Sequence, residues 1–335
     1  MNAQAVDLSL LQSLVTDATA APSLHNAQPW RFSCPRGSDV LRLYADPDRA
    51  LPHIDPDGRG LHLGCGAALC NLRVSAAAAR LAPEVALLPD PADPDLLAEV
   101  RLRTAGPRDE ALALLRSEIG RRHSSRAPFR EDDIPGAVRD HLVEAARSEG
   151  TQLTFPGSWH VQSILTMVRD AEEAEWLDDG IRGETQRWAH IDAPDPAGAP
   201  DTPGATDGIP AAAFGPAPRH AGAAVRDFAA GRPMPGRAQK EFERLPHLAL
   251  LGTDGDGPVH WLRAGQALQR VLLQATRDGL VTSMVSQPLE RPELRWAVRA
   301  PLSAMAHVQM VIRIGYGPTG VRSPRRPVEE VLDIV

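Results

Sequence analysis

A protein mixing helices with strands, in which one order of elements recurs, is what the sequence predicts. Three observations carry this. Apolar residues switch between a helical period and short strand-length runs, and the element order of the N-terminal third partly returns after Leu112. Five identical pairs (Gly66/Gly265, Ala68/Ala267, Leu69/Leu268, Ala76/Ala275 and Leu81/Leu280) stand 199 positions apart. In an alanine-rich chain the shared order is the stronger argument. With 335 residues, 43% hydrophobic and 24% charged, the chain can bury a sizeable core as one large domain, two domains or a duplicated unit.

The first helix runs along Leu8, Leu11, Val15 and Ala18 until Pro22 stops it. It lacks a basic leader and carries Asp7 and Asp17, so it reads as a helix rather than a signal peptide. Strand runs at Trp30–Phe32 and Val40–Tyr44 precede a turn-rich stretch and an apolar helix near His62–Leu81. Strands at Val85–Leu88 and Ala98–Arg103 close the first part.

After Leu112 come a helical run to Gly120, an arginine cluster, a helix at Ala137–Ser148, a strand at Thr151–Phe155 and a helix from Val161. From Leu177 to Glu243 periodicity fails and Pro, Gly, Ala and Asp dominate, most densely over Asp192–Arg219, which suggests a lid inserted in the second half. Strands at Leu248–Thr253 and Val308–Ile314 flank a helix at Trp261–Asp278, and Asp254–Gly257 reads as a hairpin turn.

Composition excludes several functions. A net charge of -7 argues against nucleic-acid or acidic-lipid partners. Lys240 is the single lysine, and no Gly-Lys-Ser/Thr occurs, so a P-loop is absent and a pyridoxal Schiff base has one poor candidate. Cys34, Cys65 and Cys70 have no zinc-type spacing, and three cysteines suit a reducing compartment, read here as the cytoplasm. Gly64-Cys65-Gly66 lacks the rest of a dinucleotide fingerprint, no metal motif is present, and no apolar run approaches the roughly 20 residues that cross a bilayer.

Three segments carry chemistry. Arg121-Arg122-His123-Ser124-Ser125-Arg126 offers guanidinium forks and hydroxyls suited to one phosphate, or else an exposed basic helix end paired with Glu118, Glu131 or Asp132. Ala21 to Phe32 joins a helix to a strand through a proline-bounded polar loop. Its Ser23, His25, Asn26 and Gln28 suit the edge of a flat heteroaromatic ring; a capped turn with Trp30 in the core is the plainer alternative. Arg322, Arg325 and Arg326 are a solvated tail or further phosphate ligands, and Gly279–Val285 brings backbone to a ligand or simply stops a helix.

Taken with Asp55-Pro56-Asp57-Gly58-Arg59, Asp207-Gly208-Ile209-Pro210, Trp261-Leu262-Arg263-Ala264-Gly265-Gln266-Ala267-Leu268, Ser286-Gln287-Pro288-Leu289-Glu290 and Pro324-Arg325-Arg326-Pro327-Val328, these segments resemble the Acg-like members of the nitroreductase superfamily over nearly the whole chain. The resemblance implies an α+β fold, in ordinary members a homodimer with FMN at the subunit interface. Here it implies two nitroreductase-like repeats fused into a pseudo-dimer, residues 1–110 and 111–335, with a lid insertion at about 177–243. The first repeat has the ring-edge loop without the phosphate motif, the second has the reverse, and Thr151–Trp159 replaces the second loop, so one FMN per chain is expected.

By the same resemblance Arg122, Ser124 and Arg126, joined by Arg325 or Arg326, hold the phosphate and ribityl chain. Pro22, Ser23 and Asn26 lie against the ring, and Ser283 and Met284 sit near its reactive side. The implied function is an FMN-dependent oxidoreductase taking hydride from NAD(P)H to an electron-poor small molecule, with no catalytic side chain and no metal. The alternatives are an FMN-sequestering or sensing protein with an occluded flavin, and a reductase or dehydrogenase dedicated to one pathway metabolite. A monomer or weak homodimer is expected, without nucleic acid or membrane.

Overall fold

In a computed structural model the described residues are 7–104, 106, 107, 109–190, 206–219, 223–229, 232, 234–299 and 305–335. Helix α1 (Leu8–Thr19) buries Leu11, Leu14, Val15 and Ala18, the stripe its apolar spacing marks out. Strands β1 (Trp30–Cys34) and β2 (Val40–Ala45) follow as a hairpin with alternating burial. Helix α2 (Arg59–Ala78) starts earlier than the apolar run suggests because Asp55 accepts from the amides of Gly60 and Leu61, both at 2.8 Å. Strands β3 (Ala82–Leu87) and β4 (Leu96–Arg103) pair antiparallel.

After the one-turn α3 (Glu110–Ala113) come α4 (Gly136–Arg147), β5 (Gln152–Thr154), α5 (Ser158–Leu177) and α6 (Asp179–Trp188). Two-residue strands β6 (Ala189–His190) and β7 (Ile209–Pro210) pair, as do β8 (Ala217–Pro218) and β9 (Gln239–Lys240). Then come β10 (Leu248–Thr253), α7 (Pro258–Arg277), β11 (Val281–Val285), the one-turn α8 (Pro292–Arg295), β12 (His307–Gly315), the one-turn α9 (Val328–Val331) and β13 (Leu332–Ile334).

The first sheet has the order β13-β1-β2-β4-β3 and the second β11-β12-β10-β5. Read outward from its first hairpin partner, each holds the same antiparallel run: β1-β2-β4-β3 in one and β5-β10-β12-β11 in the other. Between them α2 and α7 pack closely. A Cβ on Gly66 would meet the Leu262 carbonyl oxygen at 2.3 Å, and one on Gly265 would meet that of Leu63 at 2.2 Å. Both members of this reciprocal contact keep the 199-residue offset. The hydrophobic core divides accordingly: α1 and α2 cover the first sheet, α4 and α7 the second, and Leu262 of α7 sits in the first cluster while Leu63 of α2 sits in the second.

Two expectations are corrected. Asp254–Gly257 is a strand-to-helix turn between β10 and α7, with Asp256 accepting from Gln309 and Arg295; no hairpin forms, because Pro258 starts a helix. The aperiodic stretch after Leu177 contains α6, which Asp178 caps by accepting from the Ile181 amide, and whose Trp188 and Ile181 pack with Ala27, Leu51 and Ile54. The acidic-apolar end of the tail forms β13, parallel to β1. Half of Asp192–Arg219, residues 192–205, lies outside the described residues. Among the described residues no helix is long and apolar enough to cross a membrane.

Candidate active site

The loop between α1 and β1 is unusual backbone. His25, Asn26 and Gln28 all have positive φ, 49°, 55° and 53°, a conformation that side chains other than glycine's disfavour. Hydrogen bonds hold it: the Gln28 amide donates to Ser23 Oγ (2.9 Å), Asn26 Nδ2 donates to the carbonyls of Gly208 and Pro324, and Gln28 Nε2 donates to that of Thr206. The start of α2 backs the loop, where a Cβ on Gly64 would lie 3.2 Å from the Ser23 Cβ and one on Gly60 2.9 Å from the Leu24 Cδ2.

This loop forms one wall of a cleft with about 810 Å³ of atom-free space, partly open to solvent. Pro22, Ser23 and His25 come from the loop, Gly60, Leu63 and Gly64 from α2, Ser124 and Arg126 from the arginine motif, Ser283 and Met284 from β11, and Arg226 and Phe228 from the segment between β8 and β9. Both halves of the chain therefore line it. Ser124 reaches this wall because it bridges to Thr282, and the Ser125 amide donates to the Thr282 carbonyl at 2.8 Å.

Cations dominate the surroundings. Arg126 is half-buried, donates to the Ala213 carbonyl (2.9 Å), and lies 4.8 Å from the centre of the Phe228 ring. Burial, with Arg226 nearby, pushes its pKa down to about 10. Arg122 and Arg325 do not line the cleft; they lie behind the same loop, both donating to the Ala20 carbonyl, and Arg325 also donates to Asn26 Oδ1 at 2.8 Å. Burial lowers Arg122 to about 10. Burial, then Arg122 and Arg322, lowers Arg325 to about 9. His123 falls to about 4 through burial and the same three arginines. No carboxylate offsets these four groups, and the Nε atoms of Arg122 and Arg325 are buried without a partner among the described residues.

Arg226 and Phe228 bring residues 223–229 to the cleft. Arg226, buried, donates to Glu290 at 2.5 Å and pairs with Glu175 at 3.3 Å. Burial opposes its charge, but these carboxylates outweigh burial and raise its pKa. Burial drives Glu172 and Glu175 up to about 7. Gly215 lies so close to the Arg126 carbonyl that a Cβ there would meet it at 2.3 Å.

The Nitroreductase family model matches residues 119–316. A Mycobacterium tuberculosis protein named "Putative NAD(P)H nitroreductase" is 32% identical over 340 residues, spanning 99% of this chain and 94% of its own length. The chain belongs to the nitroreductase family. A second M. tuberculosis relative, "Putative NAD(P)H nitroreductase acg", is 29% identical and covers 98% of this chain and 97% of its own. Among solved structures, a nitroreductase from Anabaena variabilis aligns over 92% of this chain and 88% of its own at 12% identity and a TM-score of 0.42. A nitroreductase from Bacteroides fragilis with bound FMN aligns over 63% and 92% at 14% identity and a TM-score of 0.36. The fold is a nitroreductase-like α+β fold.

Of the residues the sequence marked in this nitroreductase, Pro22, Ser23, Ser124, Arg126, Ser283 and Met284 line the cleft. Arg122 and Arg325 share the cation group beside it, and Asn26 faces away, bonded to Arg325 and to two carbonyls. Arg326 is corrected. It is committed to Asp46 (3.3 Å) and Glu330 (3.6 Å) and to the carbonyls of Gln28 and Trp30, so its charge anchors the tail to β1 and is spent there. Sequence reasoning placed His25 in the ring-edge loop, and it lines the cleft; it missed Glu290, and it missed Arg226 and Phe228 because no periodicity marks their segment. Arg322 joins Arg325 electrostatically, the one signal of which was the arginine clustering of the tail.

Proposed function

We propose that the chain is an FMN-dependent NAD(P)H oxidoreductase in which two nitroreductase-like repeats, residues 1–110 and 111–335, are fused and enclose one cofactor. The matching strand orders and the reciprocal Gly66 and Gly265 contacts support the fusion. The observation that carries the cofactor reading is the pair of buried Arg122 and half-buried Arg325, with no carboxylate beside them among the described residues and each with a buried, unsatisfied Nε. Uncompensated buried charge is costly, and one phosphate engaging guanidinium forks compensates it. These residues fit the phosphate end of FMN, with Arg322 and Ser124 joining them.

Arg126 suits the polar edge of the ring, and Pro22, Ser23, Ser283 and Met284 suit its flanks. When bound, FMN supplies hydride transfer between NAD(P)H and an electron-poor small molecule. The chain's own part is position and electrostatics: Arg126 holds positive charge in the cleft, Leu63, Met284 and Phe228 give it apolar walls, and the strained loop fixes the distance between walls. One chain supplies both walls, so a monomer or weak homodimer suffices. Titration of the purified protein with FMN tests this, with one equivalent bound expected; failure to bind FMN overturns it.

A sequestering role is the second reading, favoured by Arg226, Phe228 and Gly215 closing over the cleft. Anaerobic bleaching of bound flavin by NADH or NADPH supports turnover. Bleaching by dithionite alone supports sequestration.

A further inference from the structure

We infer that His25, held by Arg226 as its Nδ1–H tautomer, is the hydrogen-bond donor that reads an oxygen substituent on the planar electron acceptor in the cleft. The inference rests on the oxidoreductase reading above and adds the residue that recognises the acceptor.

The tautomer follows from chemistry. His25 Nε2 lies 3.0 Å from Arg226 Nη1. A guanidinium donates and never accepts, so Nε2 must be the bare nitrogen and the proton must sit on Nδ1. Arg226 cannot swing away to relax this, because its other fork is committed to Glu290 and Glu175. The ring is seated edge-on against Phe228, centroids 5.2 Å apart at 78°. Burial, Arg226 and Arg126 together press its pKa well below the usual value, so the imidazole stays neutral.

The donor that remains has nowhere to go. His25 is 3% exposed and lines the cleft, and its Nδ1 is buried with no partner among the described residues. A buried N–H left unmade is destabilising, as is the positive φ of its own backbone. Two unfavourable features at one cleft-facing residue point to a ligand that completes it. A neutral imidazole N–H suits an oxygen on which negative charge grows as an acceptor ring is reduced, since it donates a hydrogen bond and keeps its proton. Nitro and quinone oxygens are of this class.

The test uses the FMN-loaded full chain. In protein labelled with ¹⁵N-histidine, His25 should show a protonated Nδ1 and bare Nε2, and Arg226→Leu should abolish that preference. His25→Phe keeps the ring packing and should leave FMN affinity within about twofold, while KM for menadione and for nitrofurazone rises about 5- to 10-fold, the worth of one neutral hydrogen bond. A protonated Nε2 in the wild type, or an unchanged KM with FMN bound, overturns the inference alone. FMN affinity falling while KM holds also overturns it, because the donor then serves the cofactor. A wild-type chain that binds no FMN overturns the underlying reading instead.

Discussion

Replacing Arg122 by methionine should move two quantities in opposite directions. Burial lowers the Arg122 pKa from its usual 12.5 to about 10. At about 1.4 kcal/mol per tenfold change, keeping this side chain charged at neutral pH costs the ligand-free fold on the order of 3 kcal/mol. The sign follows: a base with a depressed pKa is charged, and costly, throughout the range below about 10. Methionine fills similar length without charge and forfeits one hydrogen bond to the Ala20 carbonyl, about 1 kcal/mol. The apo-protein should therefore be as stable as wild type or up to about 2 kcal/mol more stable. FMN loses a charge-assisted contact of about 1.5 to 3 kcal/mol, so its Kd should rise roughly 10- to 100-fold. Chemical denaturation of the apo-protein and fluorescence titration with FMN read the two effects. An unchanged Kd, or an apo-protein destabilised by more than about 2 kcal/mol, would refute the phosphate assignment.

Other consequences reach further from the cations. Gly66→Ala drives a methyl to 2.3 Å from the Leu262 carbonyl, about 1 Å inside a C···O contact, so α2 and α7 must part. A loss of about 1–3 kcal/mol in denaturation and weaker FMN binding are expected, since α2 also lines the cleft. Arg226→Ala strands Glu290 and Glu175 and should cost about 3–5 kcal/mol locally, seen as faster hydrogen exchange over residues 223–229. Glu172, driven to about 7 in the fold from an ordinary 4.5, binds its proton more tightly folded than unfolded. Its contribution is present below about pH 4.5 and is lost as pH rises through 7, so Glu172→Gln should flatten the decline in Tm between pH 5 and pH 8.

Local physics made much of the fold legible. The stripes of α1 and α7 and the strand runs around them each bury one face or lie wholly inside, which composition alone announces. Gly66 and Gly265 were visible as a repeat offset, and their role as the contact between two helix backbones explains why that pair was kept small. The start of α2 was misread because its cap, Asp55, lies in a turn that looks like any other. The cleft was half legible. Its loop and arginine motif stand out as polar residues framed by proline, yet Arg326 and Arg325 are adjacent in sequence and only packing against Asp46 and Glu330 separates their tasks. Arg226 and Phe228 were beyond reach, since their place depends on long-range pairing with Glu290 and His25 rather than on any periodic signal.

Native mass spectrometry of the protein reconstituted with FMN tests the shared cleft most directly. A chain carrying one flavin, and no more at excess ligand, is the expected result. Two flavins per chain, or none, would contradict it.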